Sequence, residues 1–257
     1  MNRLKTFFTQ YRLFFLFFIT TIFIWELAVQ LEKVPSFIIP APSAILLMII
    51  EHKQSLFGEH LTATLKEVAL GFMIALIGGS SLAVAMFFSK SIEKMLYPVV
   101  LISQTIPIIA LSPVFVLWFG YTIWSKVAVT VLITFFPIVV STYDGLKNSD
   151  PEYTELLKSM GASRWQLFTK IQIPMALPSF FSGLKLAIVF SVVGATIGEW
   201  LGASEGLGYY SRRMSGNLNA EGVFAAVTIL SFLGMSLFLL VTILERRILK
   251  WKLEKKR

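Results

Sequence analysis

The sequence predicts an all-α polytopic membrane protein with about six transmembrane helices. Of its 257 residues, 56% are hydrophobic and only 15% are charged, whereas about 25% of the residues in an ordinary soluble domain are charged. Apolar runs of about 20 residues, the length that crosses the hydrocarbon core of a bilayer, recur along the chain. The chain contains no cysteine, which excludes disulfides, cysteine-based zinc sites and thiol catalysis.

The predicted spans make residues 1–257 a single transmembrane domain. They cover residues 13–31, 61–88, 96–119, 125–142, 179–201 and 223–244. Residues 41–53 are also apolar, but this segment is short and has Pro40 and Pro42 near its start. It is therefore predicted to be an interfacial helix rather than a seventh span. The first span lacks a small-residue cleavage site and is predicted to stay uncleaved.

The basic residues predict the orientation. Most of the 23 Lys and Arg residues lie in residues 1–12, 89–95, 143–185 and 245–257. These segments share one side of the membrane, and positive charge concentrates on the cytoplasmic side. Both termini and the long loop 143–178 are therefore predicted to face the cytoplasm. The basic tail, residues 245–257, is then a topology anchor, and no nucleic-acid partner is expected.

The loop 143–178 contains the pattern of an amphipathic helical hairpin. Asp150 is a good N-cap, Pro151 fits the first helical position and Gly161 fits a left-handed end. The apolar face of the first helix has helical spacing and consists of Tyr153, Leu156, Leu157 and Met160. Periodicity alone leaves three uses open for this hairpin: lying on the lipid surface, packing on its own chain, and inserting into a partner.

The second helix of the hairpin is predicted to start at a capping box formed by Ser163 and Gln166. Its apolar face consists of Trp165, Phe168 and Ile171. Pro174 is predicted to end this helix, and Pro178 to precede the fifth span.

Residues 155–174 resemble the EAA loop of bacterial ATP-binding cassette importer permeases. That pattern is Glu-Ala-Ala, three residues, Gly, nine residues and Ile-x-Leu-Pro. The chain keeps its offsets, with leucines in place of both alanines and Ile173 in place of leucine. The stretches "TLKEVALGF", "IPIIALSPVFVLWFG" and "GEWLGASEGLGY" are similar to the nitrate, sulfonate, taurine and thiamine-precursor branch of this family.

The resemblance implies a type I importer permease fold in which the loop 143–178 couples to an ATPase. The residues expected to form the coupling surface are Glu155, Leu156, Leu157, Gly161, Ala162, Ile171 and Pro174. The chain has no G-x-x-x-x-G-K-[ST] motif, so a separate ATPase subunit, in two copies, is expected to bind the ATP. No enzymatic activity, cofactor or metal is expected in this chain itself. The other expected partners are an extracytoplasmic solute-binding protein, a second permease copy in a homodimer, and membrane lipid.

The third span is predicted to be interrupted by proline. Pro107 follows a polar group formed by Ser103, Gln104 and Thr105, and broken polar helices often line transport sites. These four residues are candidates for lining the translocation pathway. The alternative is a kinked packing helix with no role in transport.

Small residues recur every four positions in the second and fifth spans, which lets helices approach closely in lipid. They are Gly71, Ala75, Gly79 and Ala83, then Gly183, Ala187, Ser191 and Ala195. Two interpretations of these stripes are open: static packing of the helices, and a moving contact between protomers. Glu199 continues the second stripe, and a structural hydrogen bond to the segment "GLGYYSRR" is its simplest explanation. Arg212 and Arg213, with Glu199, are candidates for the outer side, where the two arginines could attract an acidic surface of the binding protein.

A self-contained secondary transporter or channel is the alternative class. It would need ionisable groups within the spans for ion coupling. Only Glu26 and Glu199 qualify, and neither has an obvious buried partner in the sequence. The favoured interpretation is therefore an importer permease subunit for a small polar or anionic solute: a sulfonate, taurine, nitrate or a thiamine pyrimidine precursor.

Overall fold

In a computed structural model of the chain, the described residues are 12–31, 35 and 37–250, apart from the side chain of residue 14. Every regular element within them is helical. The predictions for residues 1–11 and 251–257, which include the start of the chain and most of the basic tail, lie outside the described residues.

Eleven α-helices are described, two of which are preceded by a π-helical segment. Their bounds are α1 Arg12–Gln30, α2 Pro42–Glu51, α3 Leu61–Phe88, α4 Lys90–Ser103, α5 Ile108–Phe119, α6 Ile123–Lys147, α7 Pro151–Ser159, α8 Arg164–Leu167, α9 Ile173–Gly202, α10 Leu207–Gly216 and α11 Ala220–Ile248. The π-helical segments are Gln54–His60, which leads into α3, and Phe168–Gln172, which leads into α9.

Four described helical stretches are long and apolar enough to cross a membrane. They are Gln54–Phe88, Ile123–Lys147, Arg164–Gly202 and Ala220–Ile248. The bent pair α4 and α5 provides a fifth candidate. Helix α1 occupies the position of the first predicted span, and its 19 residues rise about 28 Å at 1.5 Å per residue. Helix α2 has only ten residues and lies where the interfacial helix is predicted.

The third predicted span, residues 96–119, is interrupted, as predicted from its prolines. Helix α4 ends at Ser103, α5 begins at Ile108, and the two are bent by 103° relative to each other. Pro107 is the N-cap of α5. It has no N–H to continue the helix, and it disfavours helical geometry in the residue before it. Pro98 and Pro113 remain inside their helices.

The prediction that Pro174 ends the second hairpin helix is wrong. Pro174 lies in the first turn of α9, and the helical path runs without a break from Arg164 to Gly202. The π-helical segment Phe168–Gln172 directly precedes α9, so Pro174, which lacks an N–H, lies at the junction between the two helical forms. The segment between the fourth and fifth spans is therefore shorter than 143–178, since α6 continues to Lys147.

The core is formed by α3, α6 and α9, with α9 packing most extensively against α6. Thr130 of α6 contacts Gly71 of α3 and Gly194 of α9, where an added Cβ would lie 2.8 Å from the Thr130 Cα atom. Gly183 likewise leaves no space for a Cβ beside Ser141. The alanines of both small-residue stripes at positions 75, 83, 187 and 195 are completely buried. Packing within one chain therefore accounts for both stripes.

Candidate functional site

Two regions at opposite ends of α9 carry most of the predicted site residues. The first is the hairpin, residues 150–172. Asp150 Oδ1 accepts the N–H of Glu152 at 3.0 Å and caps α7. At the other end of α7, Gly161 has a φ of +81°. Its N–H donates to the Lys158 carbonyl, and the Ala162 N–H donates to the Leu157 carbonyl. This pair of bonds is a Schellman motif, which confirms the left-handed end predicted for Gly161.

The predicted capping box at the start of α8 is also confirmed. Ser163 Oγ accepts the Gln166 N–H at 3.3 Å, and Gln166 Oε1 accepts the Ser163 N–H at 2.8 Å. The two caps satisfy the backbone groups on both sides of the turn. The angle between α7 and α8 is therefore set by local interactions.

The second half of the hairpin is anchored to its own chain. Leu167, Phe168 and Ile171 are buried. The Phe168 ring lies 5.8 Å from that of Phe87 and 4.7 Å from that of Phe88, measured between centroids, at the end of α3. Because of this contact, the hairpin has a fixed position at one end of the helix bundle.

The first half of the hairpin is not covered by the described chain. No residue of α7 is buried, and the apolar side chains of Leu156 and Met160 are 57% and 77% exposed. Trp165 continues this surface with 66% of its area exposed. The rigid hairpin thus presents an exposed apolar surface. We call this surface the α7 face and define it as Tyr153, Leu156, Met160 and Trp165.

The residues predicted to form the coupling surface divide into three groups. Glu155, Leu156 and Gly161 are exposed beside or on the α7 face. Leu157, Ala162 and Pro174 are half-buried, and Ile171 lies in the chain's own interior.

The second region is the polar cap, in which side chains of α9, of α3 and of the π-helical segment leading into α3 hold the start of α10. We define it as His60, Thr64, Glu199 and residues 206–208. The Gly206 N–H donates to His60 Nδ1 at 3.2 Å, and the Leu207 N–H donates to Thr64 Oγ1 at 2.9 Å. The Gly208 N–H donates to Glu199 Oε2, and the Thr64 hydroxyl donates to Glu199 Oε1 at 2.6 Å. All these side chains are buried.

The glycines of the "GLG" sequence are explained by this arrangement. Gly206 has a φ of +115°, and an added Cβ would meet the Glu199 carboxyl group. A Cβ at Gly208 would lie 2.7 Å from Glu199 Oε2 and 2.8 Å from the Thr196 carbonyl oxygen. Only glycine leaves space for the carboxylate against the backbone. The predicted structural hydrogen bond from Glu199 to the segment "GLGYYSRR" is thereby confirmed.

Glu199 has buried partners that were not obvious in the sequence, and sequence reasoning missed two ionisable groups of this cluster. Glu67 of α3 lies next to Glu199, and Lys126 Nζ of α6 lies 3.6 Å from Glu67 Oε1. Both side chains are almost fully buried. A signal was present for Glu67, since it falls four residues before Gly71 and extends that small-residue stripe. The sequence signal for Lys126 is weaker, since the residue four positions further along its helix is Thr130, which is not part of either stripe.

The outward surface of α10 carries the predicted arginines. Arg212 and Arg213 are both exposed, and the Arg212 guanidinium donates to the Trp200 carbonyl. On the opposite face, Tyr210 packs beside His60, with ring centroids 5.1 Å apart. Burial raises the pKa of the Tyr210 phenol.

The predicted pathway residues lie at the break between α4 and α5. The Ser103 hydroxyl donates to the Val100 carbonyl at 2.7 Å, while Gln104, Thr105 and Pro107 are exposed. Ser103 also borders a cavity of about 570 Å³. Its aromatic walls are Phe115, Trp118, Phe119, Trp124 and Phe135. Among the described residues, no three His, Cys, Asp or Glu side chains are placed to hold a metal ion.

Comparison with known proteins identifies the family. A family model described as the inner membrane component of binding-protein-dependent transport systems matches residues 68–250. The formylaminopyrimidine transport permease protein ThiX of Halalkalibacterium halodurans is 48% identical over 237 residues, covering 92% of this chain and 94% of ThiX. The putative aliphatic sulfonates transport permease protein SsuC of Bacillus subtilis is 31% identical over 231 residues, covering 89% of this chain and 83% of SsuC.

The fold has a relative among solved structures. A chain of the methionine ABC transporter MetNI, in an inward-facing conformation, superposes with a TM-score of 0.65 at 18% identity. The match covers 74% of this chain and 94% of the MetNI chain. Together with the family match, this confirms the resemblance seen in the EAA-like segment and the predicted type I fold. The chain therefore belongs to the binding-protein-dependent transport system inner membrane component family and is a permease subunit of an ABC importer.

Proposed function

We propose that the hairpin is the docking element for a separate ATPase subunit, and that this permease imports a formylaminopyrimidine-type solute. The α7 face carries the first part of the proposal. It is apolar and exposed, yet it stands on a frame fixed by two caps and by Phe168. A large exposed apolar surface on a rigid element is typical of a protein-binding site.

The assembly follows from the family and from the incomplete enclosure of a pathway by one chain. Two permease copies face each other, each hairpin binds one of two ATPase copies, and ATP is bound by those partners. This chain holds no cofactor and has no ATPase site of its own. Both termini and the hairpin face the cytoplasm, which places α10 on the outer side. There, Arg212 and Arg213 attract an acidic surface of the binding protein.

The orientation has a direct test. The native chain has no cysteine, so Asn148→Cys creates a single thiol beside the hairpin. A membrane-impermeant thiol reagent should label it only from the cytoplasmic side. Labelling from the outside would contradict the orientation.

The choice of solute is supported by the chemistry of the described spans. Lys126 is paired with Glu67, and Lys185 is paired with Glu245 at 2.9 Å. The described residues of the helix break and of the aromatic cavity include no cation. Recognition of a sulfonate or nitrate is expected to use a cation, whereas a cavity with aromatic walls suits a planar, uncharged heterocycle. The relative at 48% identity is a permease for such a compound by its name.

The experiment is uptake by the complete transporter in lipid vesicles, with its ATPase and binding protein. We expect ATP-dependent accumulation of radiolabelled formylaminopyrimidine that excess sulfonate or nitrate does not reduce. Accumulation of a sulfonate or nitrate instead would contradict the proposed solute. If the hairpin only rests on the lipid surface, changes on the α7 face should leave ATPase binding intact.

A further inference from the structure

The backbone N–H groups at the start of α10 are bound by side chains of other helices and not by a capping side chain of its own. Its N-cap is Gly206, which has no side chain to bind the free N–H groups. His60, Thr64 and Glu199 bind three of these N–H groups from elsewhere in the chain. The carboxylate also suits this position because the N-terminal end of a helix attracts negative charge.

The Thr64 hydroxyl joins three helices at one atom. It accepts the N–H of Leu207 and donates its proton to Glu199, so α3, α9 and α10 meet there. One turn further along α3, Glu67 pairs with Lys126 of α6. Buried hydrogen bonds are costly to leave unmade. The start of α10 therefore cannot move away from α3 and α9 without leaving several buried groups unpaired.

The two faces of α10 differ in what they contact. Leu207 and Tyr210 lie in a buried cluster with residues of α2 and α11. Arg212, Arg213 and Ser215 are exposed on the other side. A protein that binds the exposed face would therefore exert force on α10, which is hydrogen-bonded to α3 and α9.

We propose that Thr64 and Glu199 are positioning residues that make α10 and the adjoining ends of α3 and α9 one rigid unit, through which binding-protein docking moves these spans. The identity of the docked protein rests on the proposed function, whereas the rigidity of the unit does not.

The rigidity is tested by a distance measurement in the assembled transporter in lipid. Lys66→Cys on α3 and Ser215→Cys on α10 change two exposed residues, and no native cysteine competes for a spin label. In transporters assembled from one labelled and one unlabelled permease copy, the distance between the two labels should have a narrow distribution that is equal in the nucleotide-free and ATP-bound states. Adding Thr64→Val, which removes the hydroxyl, should broaden or shift it, whereas Thr64→Ser should preserve it. An unchanged distribution in Thr64→Val, or a change between nucleotide states in the parent pair, would overturn the rigid unit.

The transmission is tested by ATP hydrolysis with the formylaminopyrimidine-loaded binding protein. Thr64→Val removes two buried hydrogen bonds, and Glu199→Gln replaces the carboxylate that accepts from Thr64 and Gly208. In both variants, we expect stimulation to fall about tenfold, with basal hydrolysis and binding-protein affinity unchanged. Glu205→Gln is the control, because Glu205 lies in the loop between α9 and α10, next to Gly206, but is exposed. Normal stimulation of ATP hydrolysis in Thr64→Val would overturn the transmission. A loss of stimulation that is fully explained by weaker binding of the binding protein would overturn it as well. Lack of stimulation in the unmodified transporter would contradict the proposed solute, and the spin labels would still decide the rigid unit.

Discussion

The hairpin and the polar cap lie at opposite ends of α9 and differ in how their interactions are completed. In the polar cap, the buried donors at the start of α10 are bound by side chains of the same chain. In the hairpin, the backbone groups at the turn are satisfied by local caps, but the α7 face is left exposed. The polar groups of the cap are therefore satisfied within the chain. The hairpin also has a fixed shape, but its apolar α7 face is not covered by its own chain. Substitutions should affect stability at the first and partner binding at the second.

The largest expected effect is that of Gly208→Ala in the polar cap. Its Cβ would meet both a carboxylate and a backbone carbonyl, and such overpacking costs about 1–3 kcal/mol of folding free energy. Gly216→Ala is the matched control on the same helix, because nothing lies within 4 Å of its Cβ. We expect a lower melting temperature and lower yield of folded protein only for Gly208→Ala. Equal melting temperatures would show that the cap is not closely packed.

A second effect should appear in binding rather than in stability. Leu156→Glu places a charge in the centre of the α7 face, where loss of a central contact costs about 2 kcal/mol or more, or roughly 30-fold in affinity. Leu218→Glu is the control, since Leu218 is 84% exposed in the turn between α10 and α11. Titration of the ATPase subunit onto each purified permease measures the difference. Equal affinities of the two variants for the ATPase subunit would show that the α7 face is not a binding surface, and the two ends of α9 would not differ in this respect.

The smallest effect should come from the angle of the hairpin. Gly161→Val forces a β-branched residue into a positive φ, at a cost of about 1–2 kcal/mol. Asparagine tolerates this conformation, so Gly161→Asn should retain uptake while Gly161→Val loses most of it. Both variants should reach the membrane at normal levels, as judged by immunoblotting. Full uptake by Gly161→Val would show that the angle between α7 and α8 is not critical.

The same two regions show what could be predicted from the sequence. The caps of the hairpin were predictable, because Asp150, Gly161, Ser163 and Gln166 act on neighbours within a few residues. The polar cap depends on a bond between Thr64 and Glu199, which are 135 residues apart. Neither periodicity nor composition pairs two residues at that separation. The extension of both small-residue stripes to Glu67 and Glu199 was visible, but it did not show that these side chains meet.

The prolines show a second limit of the sequence. Pro107 was correctly predicted to interrupt its span, but the size of the bend, 103°, was not predictable from a proline, which restricts only the local backbone. Pro174 was assigned to a helix end, whereas it lies in a first turn. Proline ends many helices, but it is also compatible with the junction between the π-helical segment Phe168–Gln172 and α9. The residues around a proline, not the proline itself, decide between them.

The separation of Thr64 and Glu199 also has a consequence for biosynthesis. At about 5–20 residues per second, the ribosome adds Glu199 roughly 7 to 27 seconds after Thr64. Late in that interval, the nascent chain contains α3 and α6, with Glu67 and Lys126, but not yet the Glu199 carboxylate. The early spans therefore remain in the membrane without Glu199 and the start of α10, and the polar cap forms only after both have been synthesised.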